Sequence, residues 1–205
     1  MSESPVEPPV EPPTEPSAES PAEQPAEPAS AAGRSTEGPE THGPGRPPLP
    51  PPHLRDPGDA WVEGPDGERF WGRFGAAGLL VHHEGTVLLQ HRVAWSHFGG
   101  TWGLPGGARR LGESAEQGAR REAAEEAGVP GGAAVTVEFE HVLDLGFWTY
   151  TTVVVRASRR FVPVMGDAES LELRWVRFAQ VGELPLHPGF EATWPALRAR
   201  IEQLA

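Results

Sequence analysis

Glu122, Glu125 and Glu126 are the residues of this chain whose type and spacing most directly suggest chemistry. Around them the sequence predicts a helix. Ser114 is a good N-cap, Gln117 stands at the capping-box position three residues on, and Ala115, Ala119, Ala123 and Ala124 are strong helix formers. Gly128 and then Pro130 supply a left-handed cap and a stop. At about 100° per residue the three glutamates fall within one arc of about 100°. That placement is unfavourable, because Glu122 and Glu126 repel at i,i+4 by about 0.2–0.5 kcal/mol. All three also sit in the last turns, where the helix dipole favours cations. One reading is a solvated acidic helix end. The other is a seat for Mg²⁺ or Mn²⁺, which take a few hard oxygen ligands and complete their shells with water.

The surrounding stretch, Gly107 to Val129, resembles the Nudix box. That pattern runs Gly, five residues, Glu, seven residues, Arg-Glu, a bulky aliphatic, any residue, Glu-Glu, any residue, Gly, aliphatic. Here the places hold Gly107, Glu113, Arg121, Glu122, Ala123, Glu125, Glu126, Gly128 and Val129. Only Ala123 departs, standing where Ile, Leu or Val is usual, which bears on packing under the helix. The lead-in from Trp102 to Gly107 also looks like the family's.

The resemblance implies a fold and a reaction: water attack on phosphorus in a pyrophosphate linkage, with Mg²⁺ as cofactor and Mn²⁺ as a substitute. It makes Glu122, Glu125 and Glu126 the metal ligands, joined by the backbone carbonyl of Gly106. Arg121 and Glu113 would hold those carboxylates in place. For the general base, relatives differ. Glu122 could serve directly, or a carboxylate from a later loop, for which Glu169 is the first candidate and Glu172 the second. The family's substrates are nucleoside diphosphate and triphosphate derivatives. The Pro marker of ADP-sugar enzymes is absent from Asp144-Leu145-Gly146, and where dinucleotide enzymes carry a Tyr this chain has Phe147. The default expectation is therefore a nucleoside triphosphate, canonical or modified. ADP-sugar or dinucleotide cleavage, or nucleotide sensing without cleavage, are the alternatives. Sensors usually lose box glutamates, and this chain keeps them all.

The elements that must position these residues are legible in outline. Trp61-Val62 and Phe70-Trp71 flank the turn signal Gly64-Pro65-Asp66-Gly67, predicting a short hairpin. Buried-strand patterns run over 74–81 and 86–91, with His82 and His83 expected to be solvated at the turn between them. Half-buried or β-branched patterns predict strands at 135–143, 148–156 and 171–178. A helix lies within 188–204, with Pro195 tolerable only near its start, and Trp194, Leu197, Ile201 and Leu204 forming its apolar face. Ahead of the acidic helix, Trp95, Phe98 and Trp102 sit on a loop with Arg92. They either stack a base as a substrate-binding platform, or seal the core beneath the loop. The expected class is α/β: an α/β/α sandwich on a mixed β-sheet, the fold the resemblance also implies.

Composition limits the remaining choices. The 205 residues carry a net charge of −12, no Cys, and no Lys, so all 17 basic residues are Arg. Disulfides, thiolate metal sites, a cysteine nucleophile and Schiff-base chemistry are excluded. The acidity argues against a nucleic-acid groove, though not against a nucleotide whose phosphates arrive with a metal. Residues 1–58 hold 17 of the 24 prolines and no Trp, Phe or Tyr. Glu recurs there every fourth residue from Glu3 to Glu27, a period that the interspersed prolines keep from forming a helix. That segment is expected to be a disordered Pro/Glu-rich tail, with residues 59–205 as the catalytic domain. The tail is either a solubilising spacer or, through Pro47 to Pro52, a ligand for a proline-reading partner. No signal peptide or membrane span is evident, so a cytoplasmic protein without membrane contact is expected. A homodimer is compatible with this reading.

Overall fold

The computed structural model describes residues 56–204, and the tail reading for residues 1–55 lies outside them. A two-stranded antiparallel hairpin comes first, β1 (Trp61–Glu63) and β2 (Arg69–Trp71), registered Trp61 to Trp71 across the expected Gly-Pro-Asp-Gly turn. The main sheet has seven strands. β3 (Ala76–His83), β4 (Thr86–Arg92), β5 (Trp102–Gly103) and β6 (Gly106–Ala108) precede the first helix, α1 (Ala115–Ala127). β7 (Val135–Asp144), β8 (Thr149–Ala157) and β9 (Ser170–Arg177) follow, and α2 (Pro188–Leu204) closes the domain. The strand order is β5-β4-β3-β8-β7, with β6 also paired to β3 and β9 to β4. The β3–β8 pair is parallel and the others are antiparallel, so the sheet is mixed, as expected.

Each face of the sheet carries one helix. α1 presents Ala119, Ala123 and Ala127 to Leu79, Val81, Leu88, Val153 and Val155. These short side chains let the helix lie close on the sheet, and Ala123, the departure from the family pattern, is fully buried there. On the opposite face α2 buries Phe190, Trp194, Leu197 and Ile201 against Leu80, Leu89, Val154 and Phe178. Burying a side chain of this kind contributes about 1.5–3 kcal/mol.

Several sequence expectations are corrected. Leu204 is exposed rather than part of the α2 face. Pro195 is the eighth residue of the helix rather than a first-turn residue. It lies on the solvent side, as does Glu191 four residues back, whose carbonyl loses its helical N–H partner where water can replace it. His82 is buried rather than solvated, with Nε2 2.7 Å from Glu138 Oε2. Glu138 lies 56 residues away, a partner no local pattern announces. Residues 56–58, assigned to the tail on composition, are packed on the domain: Gly58 is buried, and Asp56 pairs with Arg110 at 3.5 Å.

Candidate active site

The acidic helix forms as its sequence dictates. The Ser114 hydroxyl accepts from Gln117 N–H at 3.1 Å, the Gln117 side chain returns the bond to Ser114 N–H at 2.9 Å, and Gly128 caps the far end at φ 62°. The last turn holds no basic residue, so the local charge is answered from within the box.

Arg121 does that. Its Nε and Nη2 donate to the two oxygens of Glu113 at 2.9 and 3.0 Å, and Nη2 also reaches the Ala108 carbonyl at 3.0 Å. Nη1 bonds Glu122 Oε1 at 2.7 Å and touches Glu125 Oε2 at 3.4 Å. Glu113 is itself fixed by accepting from Arg110 N–H at 2.8 Å. One guanidinium thus spans three carboxylates and a carbonyl, using its planar fork as a brace. The hydrogen bond from Arg121 holds the Glu113 carboxyl below the usual carboxylate range, and Glu113 in turn holds the Arg121 guanidinium above its ordinary value.

The deeper carboxylates behave oppositely. Glu126 is 5% exposed, its Oε2 accepting from Gly106 N–H at 2.9 Å. Burial first, then the charge of Glu122, pushes its carboxyl up to about 8. Burial also raises Glu122, against the pull of Arg121. Glycine at 107 makes the arrangement possible: a Cβ there would lie 2.8 Å from the Glu122 carboxyl carbon and displace it. Gly106 meets Glu126 through its N–H, which leaves the ligand role that the resemblance implies for its carbonyl untouched.

These groups suit a hard divalent cation. The Glu122 and Glu126 carboxyls hold protons above the normal range because burial outweighs the opposing charges of Arg121 and Arg92, and oxygen donors are what Mg²⁺ prefers. Among the described residues no three acidic or imidazole side chains already converge as a ligand set, since Arg121 holds Glu122 and Glu125 while Gly106 holds Glu126. Glu125 is the most exposed of the three.

Two further carboxylates, unmarked in the sequence, stand near this cluster. The segment after β8 docks on the end of α1: Val164 N–H and Gly166 N–H donate to the carbonyls of Ala127 and Glu126, each at 3.1 Å. Gly166 fits so closely that a Cβ would run into the Glu125 carbonyl oxygen. The next residue, Asp167, lies close enough to raise the Glu126 carboxyl, and its Oδ1 accepts from Glu169 N–H at 2.9 Å. Glu169 is exposed at the end of this segment, its carbonyl tied to Val93 N–H at 3.0 Å. Glu172 lies exposed on β9. Asp59, on the strap entering β1, feels Arg121 and Arg110, and its charge reaches Glu122. Neither Asp59 nor Asp167 had a sequence signal beyond the nearness of Asp167 to Glu169.

The loop aromatics separate. Trp102 is 4% exposed, with His91 stacked on it at 4.7 Å and the Arg174 guanidinium 4.4 Å over its ring, which makes it a core residue rather than an open platform. Trp95 is half-buried. Phe98 is exposed, with its backbone at φ 54°. Arg92 donates to the His97 carbonyl at 3.3 Å, and its charge is felt at Glu126, His97 and His187.

Comparison with known proteins agrees with this geometry. The family described as NUDIX domain matches residues 72–198. A putative 8-oxo-dGTP diphosphatase 3 of Mycobacterium tuberculosis is 49% identical over 166 residues, covering 76% of each chain. A crystal structure of a Nudix hydrolase from M. smegmatis, RenU, superposes with a TM-score of 0.66 at 48% identity, covering 72% of this chain and 98% of that one. A C. elegans Ap4A hydrolase binary complex, at 18% identity and a TM-score of 0.53 over 62% of this chain and 98% of that one, shares the fold.

Proposed function

This chain belongs to the Nudix family of nucleotide pyrophosphohydrolases, and from that membership we propose that it hydrolyses a nucleoside triphosphate, with oxidised purine triphosphates as the preferred class. Water would attack one phosphorus, the P–O–P bond would break, and a nucleoside monophosphate and pyrophosphate would leave with release of a proton. The observation that carries the reading is the braced cluster itself: Arg121 spanning Glu113, Glu122 and Glu125, above a buried Glu126 whose carboxyl sits at about 8. The similarity to a protein named as an 8-oxo-dGTP diphosphatase supports the choice of substrate class.

Glu122, Glu125 and Glu126 would hold Mg²⁺, with Mn²⁺ able to replace it. When bound, the ion raises the acidity of water and neutralises charge on the departing phosphate. Arg121 would keep Glu122 and Glu125 in their ligating rotamers through Glu113. Arg92 would face the polyphosphate, its charge already directed at this end of the sheet, and Phe98 would lie beside the base. For the proton of the attacking water the candidates are Glu122, Asp167 and Glu169. Asp167 gains weight because its charge reaches Glu126, and Glu169 keeps its place on the same tethered segment.

The test is pyrophosphate release from canonical and oxidised dNTPs, ADP-ribose, nucleotide sugars and diadenosine polyphosphates, with Mg²⁺ and with chelator. Metal-dependent turnover, fastest on an oxidised purine triphosphate, is expected. Silence across the panel together with tight binding of one member would make the chain a nucleotide sensor and end the hydrolase reading.

A further inference from the structure

The hairpin of β1 and β2 precedes the residues that match the family, yet it forms one wall of a cleft beside the site. It is firmly seated: Trp148 Nε1 donates to the carbonyls of Trp71 and Gly72 at 3.2 and 3.1 Å, and Phe70 packs 4.8 Å from the Trp148 ring. The cleft, about 430 Å³, is lined by Trp61, Gly67, Arg69 and His97. Trp61 is 40% exposed and meets the His97 ring edge-on at 5.2 Å. The Arg69 guanidinium lies 4.9 Å over the Trp61 ring and takes no hydrogen bond or ion pair among the described residues, so its donors are open. Gly67 adds no side chain and leaves that end clear.

His97 forms the side opposite the hairpin, with Phe98 beside it. Phe98 adopts φ 54°, a conformation that costs a non-glycine residue about 1–2 kcal/mol, and its ring is exposed. Thr101 Oγ1 donates to its carbonyl at 2.6 Å, and its ring meets His97 at 4.3 Å and His187 at 4.7 Å. Burial and the nearby Arg92 keep both imidazoles below their ordinary range, His187 at about 4, so Arg69 is the one cation lining the cleft at neutral pH. Arg92 joins this cleft to the carboxylates, bonding the His97 carbonyl while its charge reaches Glu126.

An aromatic wall with one open guanidinium fork suits a flat heterocycle that carries hydrogen-bond acceptors along one edge. A phosphate would want more cations, and a purely apolar group would leave Arg69 unpaired. Resting on the reading that the substrate is a nucleoside polyphosphate, we propose that its base is seated between the hairpin and the β4–β5 loop, against Trp61 and His97, with Arg69 selecting the carbonyl edge of a 6-oxopurine. The arginine donates to O6, an acceptor that guanine and its 8-oxo form share, whereas adenine presents an amino donor at the same place.

Calorimetric titration of the full chain with dGMP and dAMP tests this without requiring turnover. Trp61→Ala is expected to weaken both by roughly tenfold, the scale of one stacked base. Arg69→Ala is expected to weaken dGMP by roughly tenfold and leave dAMP little changed. In turnover, KM for dGTP should rise in proportion while kcat stays within about twofold. Trp61 also packs on Trp71 at 5.1 Å, so Trp61→Phe, which keeps a ring, should retain most of the affinity if stacking is the cause. Arg69 is exposed, and its removal takes away its contact with the Trp61 ring but not the Trp61–Trp71 or Phe70–Trp148 contacts that seat the hairpin. If both alanine variants bind dGMP as wild type does, or Arg69→Ala loses dGMP and dAMP equally, the assignment is overturned. Metal-dependent dGTP hydrolysis with KM untouched by either variant would sink the cleft alone. Variant-sensitive dGMP binding without hydrolysis of any nucleotide would sink the hydrolase reading and leave the cleft standing.

Discussion

At the scale of single residues, Glu126 is a carboxyl held under electrostatic tension. Its folded carboxyl lies near 8, against 4.5 for an ordinary glutamate, so the folded state binds that proton more tightly than the unfolded chain. The stability it contributes is therefore complete below about 4.5 and is lost as pH rises through about 8. Glu113, held low by Arg121, acts in the opposite sense: its contribution is present above 4.5 and is lost on further acidification. Thermal melts of metal-free protein should show Tm falling across that upper window, with Mg²⁺ reducing the fall and Glu126→Gln diminishing it, the remainder coming from Glu122. A wild-type decline identical to that of the variant would place its cause elsewhere. In turnover, Glu126→Gln should lose at least about a hundredfold in kcat while staying folded, the scale of one preorganised electrostatic group. Near wild-type rates would remove Glu126 from the metal site. The glutamates themselves were legible because their spacing is local. The parts that complete the cluster were not: Asp59 and Asp167 are brought in by chain segments far away in sequence. Nor could sequence separate Trp102 from Phe98, two aromatics of one loop, one under His91 and Arg174 and the other in the open.

Among the elements, those with a complete local code were readable. The Ser114–Gln117 box and the Gly128 cap bound α1, and the Gly-Pro-Asp-Gly turn sets the β1–β2 register. β5 and β6 were not readable, since they span two and three residues, half or more of them glycine, and exist only because β4 and β3 offer them partners. The docked segment after β8 is another product of tertiary contact. Its grip on α1 depends on Gly166, so Gly166→Ala should lift it away from the helix and carry Asp167 and Glu169 with it. A kcat loss of at least about tenfold is expected, since misplacement by about 1 Å can cost a hundredfold. A Gly166→Ala variant with wild-type kcat would show that this segment takes no part in the chemistry.

For the whole molecule, composition grouped residues 56–58 with the tail although they pack on the domain, because a proline and a glycine look the same whether packed or free. Asp56 accepts from Gly58 N–H at 2.8 Å and pairs with Arg110, and Arg73 N–H donates to the Gly58 carbonyl at 2.9 Å, closing the corner. Removing residues 1–55 should leave Tm unchanged, whereas removing 1–60 should lower it by several degrees; equal melting of the two truncations would mean that the strap is idle. No helix among the described residues is long and apolar enough to cross a membrane. The parallel pairing of β3 with β8 carries a consequence for how the protein is made. Ala76 lies beside Tyr150, 150 − 76 = 74 positions later, and Thr86 beside Arg177, 177 − 86 = 91 positions later. Such distant pairings must close large loops before they are rewarded, which slows folding. α1 lies within the first of those loops, so on the ribosome the floor beneath the carboxylate cluster, begun by Leu79, Val81 and Leu88, is completed only when Val153 and Val155 of β8 have emerged.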